Sequence, residues 1–105
     1  MKKTFTRFVL LLALPTLFMA SCKQKPAACI SSDFIEVPVN TSINFTSCSD
    51  NADRLEWNMG DGTTFTYHTV DKAYATAGTY TVTLTVFNDN DNNSDEVTKE
   101  ITITP

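Results

Sequence analysis

From Thr79 to Val86 the chain alternates without a break: Tyr80, Val82, Leu84 and Val86 on one parity, Thr79, Thr81, Thr83 and Thr85 on the other. A period of two is incompatible with an amphipathic helix and describes a strand with one face packed and one face wet. Such a strand requires a second apolar layer to cover it. The stretch Trp57-Asn58-Met59-Gly60-Asp61-Gly62 supplies the next constraint. Leu55, Trp57 and Met59 alternate with Arg54, Glu56 and Asn58, so a half-buried strand carries the single tryptophan into a tight turn. Gly60 and Gly62 suit positive φ there, and the Asp61 carboxylate is placed to accept backbone N–H bonds inside the turn.

The remaining pattern is strands and turns with no helical period. Phe34–Val37 reads as the first strand, ended by Pro38, and Ile43–Thr46 as the second, with the bend at Val39 and Asn40. Arg54–Met59 is the third, Thr64–Val70 an aromatic-rich fourth, and Ala73–Ala75 a short fifth. The strand opened by Gly78 follows. The last strand turns Val97, Ile101 and Ile103 inward; Lys99 shares their parity, which predicts a bulge or an end position letting its ammonium reach water. The fold class is all-β, an antiparallel β-sandwich of about seven strands.

The N-terminus is of another kind. Lys2, Lys3 and Arg7 precede the apolar run Phe8–Leu14, and Met19-Ala20-Ser21 stand directly before Cys22. This segment resembles a bacterial lipoprotein signal peptide. The resemblance implies cleavage before Cys22, acylation of Cys22 and a cell-envelope location, with Lys23 after the cysteine favouring the outer membrane. The expected division is residues 1–21 signal peptide, 22–30 lipidated cysteine and tether, and 31–105 one folded domain. Pro15 and the shortness of the apolar run disfavour a membrane span. Losing Lys2, Lys3 and Arg7 takes the net charge from −4 to −7, with twelve acidic residues against five basic. That excludes nucleic acid as a partner and leaves acyl chains on Cys22 as the membrane contact.

The pair of motifs Trp57–Gly62 and Gly78-Thr79-Tyr80-Thr81-Val82-Thr83-Leu84-Thr85-Val86 resembles the PKD (polycystic kidney disease) domain, whose signature is W-x-F-G-D-G followed by G-x-Y-x-V-x-L-x-V. The match runs from about residue 33 to the C-terminus. It departs from the pattern at Met59, where phenylalanine is usual, and at Lys72, where a histidine is common. The resemblance implies an immunoglobulin-like sandwich serving as an extracellular interaction or spacer module, with no catalytic residues in common. Tyr80 would then occupy the place of a tyrosine corner.

With Cys22 given to lipid, Cys29 and Cys48 are left in an oxidising compartment and come within one bulge of facing each other across the first hairpin. A disulfide is predicted, stabilising by roughly 3 kcal/mol through loop closure. His68 has no second histidine or cysteine at ligand spacing, no strained glycine-flanked serine is present, and the chain is expected to be no enzyme and to need no cofactor or metal. The run Asp89–Glu96 places Asp91, Asn93 and Glu100 at EF-hand positions, but Ser94 stands where the loop needs glycine and strands flank it, so it reads as a solvated hairpin tip, with a looser oxygen-ligand calcium site as the alternative. Asp89, Asp91 and Asp95 at that tip are the candidate contacts for a basic protein partner. Phe65 with Tyr67, on one parity of an edge strand, are the alternative candidates: facing solvent they form a platform for glycan, facing inward they are core.

Overall fold

The computed structural model describes residues 25–88 and 92–105. Cys22, Asp89 and Asp91 lie outside the described residues. Among the described residues, eight strands form two sheets packed face to face. Numbered in chain order they are β1 (Ile30–Ser32), β2 (Glu36–Pro38), β3 (Ile43–Ser47), β4 (Arg54–Asn58), β5 (Thr64–Phe65), β6 (Thr69–Lys72), β7 (Gly78–Asn88) and β8 (Asn93–Thr104). One sheet has the order β1-β3-β6, the other β2-β8-β7-β4-β5.

The long hairpin β7–β8 is the frame. Its register runs unbroken from Gly78 opposite Ile103 to Asn88 opposite Asn93, as two strands of matched alternation dictate. Val82, Leu84, Val86, Ile101 and Ile103 face inward and meet Trp57 and Met59 of the β4 strand and turn. From the opposite sheet come Ile43, Phe45 and Val70. Trp57 is fully buried, its ring 6.0 Å from that of Phe45. Its indole N–H donates to the Tyr67 carbonyl at 2.8 Å, so the one polar atom of the largest core side chain is satisfied.

Four expectations are corrected. Phe34–Val37 and Ile43–Thr46 do not form a hairpin. β1 is the strand that pairs antiparallel with β3, and after Asp33 the chain crosses to the other sheet, where β2 runs parallel to β8. Asp33 secures the departure: its N–H donates to the Asn44 carbonyl, and its carboxylate accepts the Asn44 N–H at 2.9 Å. Phe34 and Ile35, sitting on the crossing, are exposed. Second, the fold begins earlier than residue 31, since Ala27 bridges Asp50 and Ile30 already belongs to β1. Third, Thr64–Val70 is two strands broken at Thr66–His68, and Ala73–Ala75 is none: Tyr74 leaves β6 to bury its ring in the core. Fourth, Lys99 lies opposite Val82 in regular register with no bulge. Its half-buried stem runs along the sheet face and its Nζ reaches Ser32 Oγ at 3.4 Å.

The Cys29–Cys48 disulfide is present, with Cα atoms 4.9 Å apart. It continues the β1–β3 register by one step beyond Ile30 opposite Ser47. The pairing expected from sequence holds, although the strand that delivers it is β1.

Candidate functional site

The turn after β4 is a closed polar knot. Gly60 and Gly62 adopt φ of 85° and 94°. Asp61 Oδ1 accepts the Thr63 N–H at 3.1 Å and its hydroxyl at 2.6 Å, while Oδ2 pairs with Lys72 Nζ at 2.7 Å. Burial disfavours the charged carboxylate, but the hydrogen bonds from Lys72 and Thr63, with the lysine charge, outweigh it and lower the Asp61 carboxyl to about 2. Beneath it the Tyr74 hydroxyl donates to the Met59 carbonyl at 2.7 Å. Burial first, then the charge on Asp61 and the adjacent Tyr80, push the Tyr74 phenol up. Tyr74 stacks on Tyr80 with centroids 4.1 Å apart, and the Tyr80 hydroxyl donates to the Thr76 carbonyl four residues upstream at 2.7 Å. That is the tyrosine corner expected of Tyr80. Every group in the knot is engaged by another, so its chemistry is structural.

An open site lies on the other side of β4. Because β5 has only two residues, the chain turns away at Thr66 and crosses to β6, leaving a groove of about 610 Å³. Ser47 and Ser49 line one wall, Asp53 to Glu56 the other, and Thr66 and His68 the far side. Arg54 lies 4.0 Å over the Phe87 ring. His68 is exposed, its carbonyl accepting the Ser47 N–H at 3.0 Å. No group of three potential metal ligands exists among the described residues.

The sequence profile of the PKD domain matches residues 24–104. The chain belongs to the PKD domain family. No curated protein matches it. Among solved structures, the PKD1 domain of the Vibrio cholerae metalloprotease PrtV is 26% identical, with a TM-score of 0.65, over 78% of this chain and 100% of that one. The PKD1 domain of Vibrio anguillarum Epp shares 22% identity and a TM-score of 0.65 over 78% and 96%. A structure concerned with the promiscuous specificity of carbohydrate-binding modules of the β-sandwich superfamily is 26% identical, with a TM-score of 0.70. The match covers 78% of this chain and spans only 35% of that one. These relations fix the fold as the immunoglobulin-like sandwich of the PKD domain.

The two departures from the PKD pattern are both accommodated. Met59 is fully buried in the aromatic's place, and Lys72 uses its charge on Asp61. Of the residues singled out as contacts, Phe65, Tyr67 and Asp95 are described, and they are not brought together. Phe65 is half-buried and packs against the core, whereas Tyr67 is 69% exposed. The chain bends between them, so the two rings form no shared platform. Asp95 accepts the Ala28 N–H at 2.8 Å, fastening the N-terminal segment to β8. The groove of this PKD domain was not foreseen, because it depends on where β5 stops. The polar triplet Thr66-Tyr67-His68 interrupting an aromatic strand was the available signal.

Proposed function

We infer that this PKD domain is a non-catalytic interaction module of the cell envelope, held to the outer membrane by lipid on Cys22 and binding a protein with a basic surface. One observation carries the reading. The described residues hold ten carboxylates against four lysines and arginines, while the polar tips of the core aromatics Trp57 and Tyr74 are bonded internally. An acidic shell around a closed core favours charge-steered association over turnover. The acidic run that holds Asp89, Asp91 and Asp95 supplies the long-range attraction.

The test is capture of partners from envelope extract by the lipidated protein across a salt series. Capture should weaken as salt rises, and Asp89→Asn with Asp91→Asn should reduce it without lowering the melting temperature. Asp95 is kept in this variant because it fastens Ala28. Capture indifferent to salt and to both substitutions refutes the reading. Mass spectrometry of the native N-terminus examines the anchor separately; an unmodified Cys22 thiol removes it.

A second reading, glycan capture, draws on the likeness to a carbohydrate-binding-module structure and on the exposed ring of Tyr67. It predicts that Tyr67→Ala abolishes retention on immobilised polysaccharide while leaving protein capture intact.

A further inference from the structure

β4 is paired with β7 from Arg54 to Asn58, but with β5 only at Trp57 and Asn58. From Arg54 to Glu56 its other edge has no strand beside it. The phase of the strand decides which residue presents its backbone there. Met59 N–H donates to the Thr63 carbonyl on the β5 side at 3.0 Å. Backbone groups alternate sides along a strand, so Trp57 and Leu55 share the direction of Met59, away from β7; just before the strand the pairing is offset, the Asp53 N–H donating to the Phe87 carbonyl at 2.7 Å although Arg54 is the residue opposite Phe87. Leu55 is therefore the residue whose N–H and C=O point past the end of β5. Among the described residues they make no hydrogen bond to Thr66, Tyr67 or His68. They open into the groove, and the half-buried Leu55 side chain forms part of its lining.

We propose that an extended segment of a partner polypeptide adds to β4 in this groove, pairing its backbone with Leu55 and setting a lysine or arginine against Glu56. The proposal rests on the protein-binding reading above and names where and by what contact it acts. A donor and an acceptor on one residue match the reciprocal pair that an antiparallel neighbour makes. The residue opposite Leu55 faces into the sandwich and is apolar. Its neighbour opposite Glu56 faces outward, where the exposed Glu56 carboxylate selects a basic side chain. Arg54 already lies over Phe87, and the lining contains no tyrosine, tryptophan or phenylalanine to stack on a sugar ring. The edge without a neighbouring strand is only three residues long, which suits a short specific segment and spares the domain the edge-to-edge association that a longer strand invites.

The experiment is residue-resolved NMR of the isotope-labelled protein, purified from cells in detergent and titrated with acetyl-Thr-Thr-Lys-Val-Thr-Thr-amide. Saturable shifts at Arg54 to Glu56 and Thr66 to His68 are expected, with slowed exchange of the Leu55 amide. The same peptide with N-methylated valine lacks the donor for the Leu55 carbonyl and should bind about tenfold more weakly. Glutamate in place of lysine should weaken binding about threefold, a preference that Glu56→Gln removes. Equal binding of the N-methylated peptide, or no saturable shift at millimolar peptide, overturns the proposal. Shifts confined to Asn92 to Glu96 also overturn it, while leaving the protein-binding reading intact. Saturation of the same groove by cellohexaose with no response to peptide overturns both.

Discussion

Alanine at Gly60 and at Gly62 tests the turn after β4 by a difference. Both glycines hold positive φ, 85° and 94°, where a side chain costs about 1–2 kcal/mol. Their surroundings differ. A Cβ on Gly62 meets nothing within 4 Å, but one on Gly60 would stand 2.7 Å from the Thr81 carbonyl oxygen and 3.1 Å from its nitrogen. Those atoms belong to β7, held on both sides by β4 and β8, so relief requires moving the frame of the sheet. Overpacking of that kind adds about 1–3 kcal/mol. Gly62→Ala is therefore expected to cost about 1.5 kcal/mol and Gly60→Ala about 3 to 4. For a domain of this size that is roughly 5–10 °C for the first and 15–25 °C for the second. Global stability of about 4–12 kcal/mol leaves both variants measurable by urea unfolding at low temperature. Equal losses at the two positions would refute the argument, because positive φ alone would then account for both.

Three further outcomes follow from contacts in the sandwich. The Asp61 carboxyl lies at about 2 when folded, below its ordinary value, so its contacts stabilise fully above about pH 4 and are lost as pH falls toward 2. Partial exposure screens the pair to about 1 kcal/mol, and melting curves from pH 5 to pH 2 should be flatter for Lys72→Met than for the wild type; parallel curves contradict the assignment. Reducing Cys29–Cys48 should lower the melting temperature by roughly 15 °C, from about 3 kcal/mol of loop closure over a separation of 19 residues, and labelling of the unreduced denatured protein should find neither thiol free. Tyr74→Phe leaves the Met59 carbonyl buried without its donor and should cost about 1–3 kcal/mol, against about 0.5–1 for Tyr80→Phe, whose acceptor water can reach. The reverse order in chemical denaturation would show that burial does not govern the two bonds.

Strands whose alternation outlasts their ends were legible in the sequence. β3, β4, β7 and β8 carry four or more residues of strict parity, and their inward sets are the observed core. The Cys29–Cys48 pair was legible once Cys22 was assigned to lipid, although β1 rather than the expected hairpin strand brings it together, and the Tyr80 corner came with the resemblance to the PKD domain. What escaped is set by partners distant in sequence. Phe34 and Ile35 have a strand's composition, yet the bonds of Asp33 to Asn44 and of Thr102 to the Ile35 carbonyl fix them at a crossing between sheets. Lys99 has an inward parity that its long stem tolerates, since the charge finds Ser32 at the opening between the sheets. The groove beside Leu55 exists because two residues of β5 pair and the third does not, a stopping point that no local pattern encodes.

The disulfide has a mechanical consequence. Cys29 and Cys48 close a covalent ring containing β1, β2 and β3. Traction on the residues before Cys29 crosses the sulfurs to Cys48 and continues into the chain toward β4, so the whole ring is carried as slack. β2, which lies parallel to β8, feels none of it. Once the bond is reduced, the same traction runs through β1 into β2. With the chain held beyond Thr104, the two parallel strands are then dragged lengthwise in opposite directions, and the hydrogen bonds between them resist together. Thiol chemistry at one end of the sandwich thus selects which seam of the fold meets a pull.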